Sequence, residues 1–181
     1  SNRILEQELG PNDNVAFKSV QMYVGDSHLP YSEGLIWYDT RHKSLNYYSD
    51  DSDVVHELGL EEHQRVYNNT GSTILKGQPL YFAGNYIDPN GEGVPTVGLA
   101  DATDVNAYNA QGLAASDIPT GEYGYCIIAG QLHDVDTSGL NAGTNFFVGL
   151  GPGLKQNASP LYPNYPMCLG WVVRSHATEG I

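Results

Sequence analysis

Thr73-Ile74-Leu75-Lys76-Gly77-Gln78-Pro79-Leu80-Tyr81 sets the architecture, because its layout recurs at Gly139-Leu140-Asn141-Ala142-Gly143-Thr144-Asn145-Phe146-Phe147. Both stretches place an aliphatic residue three positions before a glycine and two large apolar residues three and four positions after it. A matching pair follows, Gly112-Leu113-Ala114 and Gly170-Trp171-Val172-Val173. Each unit reads as a turn that releases a strand, with glycine where a side chain would collide. The recurrence fits a pseudo-twofold barrel, or is a chance similarity of short turn motifs.

Around these units the chain reads as short strands and turns. Gly (21) and Pro (10) are frequent, Tyr alone numbers 13, and only 16% of residues are charged. Such punctuation between aromatic and β-branched runs indicates strands. The pattern places them near Gln64–Asn68, Pro79–Ala83, Thr96–Ala100, Gln111–Ala114, Gly124–Gly130, Asn145–Val148 and Leu169–Ser175. Asn69-Thr70-Gly71-Ser72, Asp88-Pro89-Asn90-Gly91 and Ser138-Gly139 separate them. No 12-residue window carries a helical stripe.

Upstream, residues 34–59 read as a β-meander. Its strands are Gly34–Asp39, Ser44–Ser49 and Val54–Leu58, with Leu45 and Tyr47 on one face of the second. Residues 60–65 form a charged link. Residues 1–33 read as an arm with one short strand at Val15–Val24, ordered against a partner or flexible. The expected fold is therefore all-β: a short β-meander (34–63 with its link) followed by a small β-barrel or sandwich (64–181), with an extended N-terminal arm (1–33).

The net charge is −13, from 8 Lys plus Arg against 21 Asp plus Glu. That balance disfavours nucleic acid and anionic membranes as partners. No apolar run approaches the ~20 residues needed to span a bilayer. The opening Ser1–Glu6 lacks the apolar segment of a secretory signal. Cys126 and Cys168 both lie in apolar stretches and read as buried free thiols.

The chemistry-bearing motifs are few. There is no G-x-S-x-G, H-E-x-x-H or G-x-x-x-x-G-K-[ST]. His28, His42, His56, His63, His133 and His176 are scattered, and His56 and His63, beside Glu57, Glu61 and Glu62, read as solvated charges. Asp134-Val135-Asp136-Thr137-Ser138-Gly139 imitates half of an EF-hand loop, but Asn145 stands where the bidentate Glu belongs. It reads instead as a polar turn with Thr137 and Ser138 bonded to the backbone, and Asp50-Asp51-Ser52-Asp53 is read in the same way. Asn68-Asn69-Thr70 and Asn157-Ala158-Ser159 match the glycosylation pattern, which matters only in a eukaryotic secretory setting. The expectation is no catalytic residue, no cofactor and no metal.

A longer series carries a resemblance: Val66–Tyr81, Val97-Gly98-Leu99-Ala100-Asp101-Ala102, Gly112-Leu113-Ala114, Gly121-Glu122-Tyr123-Gly124-Tyr125, Gly130-Gln131-Leu132, Asp136–Gly139, Gly151-Pro152-Gly153-Leu154 and Leu169–Ala177. In this order it resembles a β-barrel domain of tailed-bacteriophage virion proteins of the tail-fibre type, and it is similar in layout to capsid-decoration domains. The resemblance covers about residues 64–181. It implies a non-enzymatic structural protein on the virion exterior, a homo-oligomer and often a trimer, joined to other virion proteins through the arm. It carries over no catalytic residues. Such chains often continue into a shaft or tip, whereas this sequence ends at Gly180-Ile181.

Trp37, Tyr38, Tyr47, Tyr81, Phe146, Phe147 and Trp171 are the packing or oligomer-contact candidates. Burial of a large side chain stabilises by roughly 1.5–3 kcal/mol. The alternatives are a capsid-decoration protein and a carbohydrate- or receptor-binding module that uses exposed Tyr and Trp against a host surface glycan.

Overall fold

Alternation of side chains along extended backbone brings Trp37, Asp39, Ser44, Asn46 and Tyr48 to one buried face of a small sheet. The computed structural model describes Gln21, Val24–Gly25 and residues 29–181. The protein is all-β: among the described residues there are twelve strands and no helix. The expected strand at Val15–Val24 lies outside the described residues except for Val24.

The meander contains β2 (Ile36–Asp39), β3 (Ser44–Tyr48) and β4 (Val55–Leu58), paired antiparallel in sequence order. A two-residue strand, β1 (Val24–Gly25), joins β2 in parallel and so ties the end of the arm to this sheet. Leu45 and Tyr47 do share a face of β3, but it is only partly covered. The inward face carries Ser44, Asn46 and Tyr48, so this sheet buries polar groups at one end and the Trp37–Tyr48 ring pair (centroids 5.0 Å apart) at the other.

The barrel closes with five strands: β5 (Glu62–Asn68), β6 (Pro79–Ile87), β7 (Gly93–Leu99), β8 (Gly112–Ala114) and β9 (Tyr123–Ala129), in the order β5-β7-β6-β8-β9. Its core is Val66, Ile74, Leu80, Val97, Ala114, Ile118 and Cys126. Gly124 is required on β9 because Ile118 occupies the space its Cβ would take, with side-chain atoms at 2.6–3.0 Å.

The sequence reading extended the barrel to residue 181, and this needs correction. β10 (Asn145–Val148), β11 (Lys155–Gln156) and β12 (Cys168–Trp171) form a separate three-stranded sheet in the order β11-β10-β12. The physical reason is the lack of closing partners. Among the described residues, β10 finds only the short β11 on one side, and β12 has no further strand beyond it. This sheet packs on the barrel through Leu140, Phe146 and Val172 with Leu113 and Leu169, around an apolar cavity of about 330 Å³.

The internal echo is structural. Leu80 pairs with Gly112 and Phe146 with Gly170; Pro79 pairs with Leu113 and Asn145 with Trp171. Gly77 and Gly143, at φ 79° and 76°, donate their N–H groups to Ala114 and Val172, each at 2.8 Å. Both conformations are left-handed, which is the reason for glycine. The same unit thus occurs once inside the closed barrel and once in the open sheet, so no pseudo-twofold barrel forms.

The two cysteines differ. Cys126 is fully buried and free, while Cys168, expected to be buried, is free and exposed on β12. Burial pushes the Cys126 thiol up to about 12. A thiol reagent at pH 8 is therefore expected to label one cysteine per native chain, Cys168, and the second only after denaturation. Mass spectrometry of the labelled peptides checks this. Rapid labelling of Cys126 in the native protein would contradict the barrel packing.

Candidate functional site

The turn between β3 and β4 clasps the barrel. Asp50 accepts hydrogen bonds from Arg65 on β5 (2.6 Å) and from the Tyr125 hydroxyl on β9 (2.8 Å). Asp51 accepts one from Ser116 (2.8 Å). Burial opposes ionisation of Asp50, but Tyr125 and Arg65 outweigh it and hold the carboxyl below its ordinary value. The Asp50–Asp53 turn is thus a docking element.

Beneath this clasp lies a cluster of titratable groups. His56 stacks on Tyr47 (4.7 Å) and meets His63 (4.6 Å) and Tyr125 (4.7 Å) edge-on, while its Nε2 lies 2.8 Å from the Ser49 hydroxyl. His63 Nε2 is 3.6 Å from Glu61, and both side chains are more than nine-tenths buried. Reading His56, Glu57, Glu61 and His63 as solvated is therefore wrong for all four. They lie where the meander folds onto the barrel, and linear sequence does not record that contact. Glu62 of the same stretch is exposed. Burial and then the Glu57 charge push the Glu61 carboxyl up to about 8. Burial and then His56 bring His63 down to about 4. Burial also lowers His56 and His133.

On the other side of β4, Glu57 meets the hairpin that joins β2 to β3. Asp39 Oδ1 accepts the backbone N–H groups of Arg41 (2.7 Å) and His42 (3.3 Å), and Lys43 adopts φ 60°. This turn folds His42 back so that Nδ1 stands 2.7 Å from Glu57 Oε1 and 3.4 Å from Asp39 Oδ2. The His42 ring stacks on His133 at 4.9 Å. These groups border a cavity of about 600 Å³, also lined by Glu61, His63 and Lys76. Chemically, the arrangement offers three convergent donor atoms. His42 was noted in the sequence only as one of six histidines. The signal that could have found the group is the hairpin register, which sets Asp39 opposite Ser44 and Asn46 opposite Glu57.

The half EF-hand is a self-bonded turn. Asp136 Oδ1 accepts the N–H and hydroxyl of Ser138, and Thr137 bonds the carbonyls of Arg174 and His176. Asn68 is fully buried with its amide engaged, and Asn157 donates to Gly139.

The aromatic candidates are dispersed. Trp37 and Phe146 are core residues of different sheets; Tyr38, Tyr47, Tyr81 and Phe147 are half-buried. Trp171, expected among the main contributors to burial, is instead 57% exposed, because the open sheet gives it no cover. Sequence reasoning missed the group Tyr67, Tyr86, Tyr123 and Arg65. In it Tyr67 and Tyr86 stack at 4.0 Å, and Arg65 lies 4.1 Å over the Tyr123 ring. These rings cover one another's faces.

No protein-family model matches the chain, and neither a curated protein nor a solved structure matches it. Among the described residues no helix is long and apolar enough to cross a membrane.

Proposed function

We propose that the protein is a non-enzymatic, self-assembling structural subunit of a phage virion exterior, of the tail-fibre attachment type. The carrying observation is Trp171. It stands largely exposed on β12, an edge strand of the open sheet. Val173, Leu150, Leu154, Leu161 and Tyr162, all from segments next to this sheet, are also exposed. Large apolar groups left on a surface in this way mark a contact face, and an open edge offers unpaired backbone groups to a second chain. A second copy of the chain is the occupant this reading assigns, with three copies around an axis. The acidic balance suits an outer surface, and the N-terminal arm (1–33) is the segment assigned to contact with other virion proteins.

Light scattering on the full chain at tens of micromolar is expected to give a trimer mass, and Trp171→Ser to shift it toward monomer. A wild-type monomer at that concentration would remove the support for self-assembly and favour a decoration subunit that assembles only on its shell.

A further inference from the structure

We propose that Asp39, His42 and Glu57 form a binding site for a divalent first-row transition cation of the Zn²⁺ or Mn²⁺ class, built into the meander. One ligand atom from each residue lies within 4.8 Å of the others. Ligands held about 2.0–2.2 Å from a common centre stand roughly 2.8–3.6 Å apart between octahedral and tetrahedral angles, and the His42 Nδ1 separations of 3.4 and 2.7 Å from Asp39 and Glu57 lie inside that range and at its short edge. The three residues come from the end of β2, its hairpin turn and β4, so one ion would tie together both hairpins of the sheet.

Two further observations point to a missing partner. His42 Nδ1 is shut off from solvent yet has no hydrogen bond, since Glu57 is near but not aligned with it. Asn46, fully buried between Trp37 and Glu57 on the same face, has an amide nitrogen without an acceptor. The carboxylates themselves are costly. The Asp39 and Glu57 side chains are 2% and 8% exposed, and among the described residues the ion-pair partner of both is His42. Buried carboxylates call for a matching positive charge. Asp39 spends Oδ1 on the turn and keeps Oδ2 toward His42. An imidazole with two carboxylates suits zinc or manganese better than the all-oxygen preference of calcium. The cavity beside the group gives an ion a path in and room for water ligands. This inference is independent of the assembly reading.

The test is calorimetric titration of chelator-stripped, dialysed full-length protein with Zn²⁺, Mn²⁺ and Ca²⁺. One equivalent of Zn²⁺ or Mn²⁺ per chain is expected, with Ca²⁺ at least tenfold weaker. Asp39→Asn and Glu57→Gln keep the side-chain shapes and are expected to weaken binding at least tenfold, while His176→Ala leaves it unchanged. Should both variants fail to fold, ring-nitrogen NMR of the wild type decides: a Zn²⁺-induced shift at His42 supports the site. Failure of Zn²⁺ and Mn²⁺ to bind, unchanged affinity in folded Glu57→Gln, or shifts confined to histidines other than His42 overturns it.

Discussion

Asn68→Ala is expected to destabilise the protein by about 3–4 kcal/mol, the combined effect of a cavity and of four hydrogen bonds lost from one buried amide. Asn68 closes one end of the barrel. It is fully buried on β5, and all its side-chain hydrogen-bonding capacity is used. Nδ2 donates to the carbonyls of Ser72 (2.8 Å) and Ile118 (2.7 Å), and Oδ1 accepts from the N–H and hydroxyl of Thr70 (2.9 and 2.8 Å). One amide thus holds the 69–73 loop and the segment before β9 in place. Removing it takes one of two donors from each carbonyl, leaving Ile118 with the Ile74 N–H and Ser72 with the Thr70 hydroxyl, and takes the acceptor from the Thr70 N–H. Asn68→Asp is expected to be at least as harmful, because it replaces the donor with a buried charge. Urea unfolding followed by tyrosine and tryptophan fluorescence measures both. A loss below about 1 kcal/mol for the alanine variant would mean the network is dispensable.

Gly112→Ala is expected to cost about 3 kcal/mol or more, at or above the top of the usual overpacking range, or to prevent folding, because a backbone stands in the way. A Cβ at Gly112 would collide with the Ile127 carbonyl oxygen on β9 and come within 2.8 Å of the Cys126 sulfur. β8 is three residues long and held on both sides by β6 and β9, so it cannot move away without opening the barrel. Gly139→Ala is the control: nothing lies within 4 Å of its Cβ position, and the change is expected to stay within about 0.5 kcal/mol. Equal midpoints for the two variants in urea would refute the tight β8–β9 approach.

Strand positions were legible in the sequence because they depend on local pattern. The runs ending at Asn68, Ala114 and Val148 are strands with those ends, and the meander has its three strands where turn residues bracket them. Closure was not legible. Nothing local tells Tyr67 to pair with Thr96 in parallel, or tells β10 to leave the barrel. The inward face of β3 was hidden for another reason. Hydrophobicity favours Leu45 and Tyr47, yet Ser44 and Asn46 are inside because Asp39 and Glu57 lie across from them on the same face. The polar cluster followed the same logic, since its members gain their burial from contacts distant in sequence. His42 and His133 stack although 91 positions separate them.

The repeated turn-and-strand unit has an evolutionary consequence. Two segments with equivalent pairings, Leu80 with Gly112 and Phe146 with Gly170, are held by different physical constraints. At Gly112 a side chain meets the neighbouring strand's backbone; at Gly170 the first atom met is the Phe146 ring edge, at 3.4 Å. Gly170 is instead constrained by its backbone, at φ 159°, where side chains are rarely tolerated. Related chains should therefore keep glycine at both positions, at 112 for want of space and at 170 for its backbone conformation.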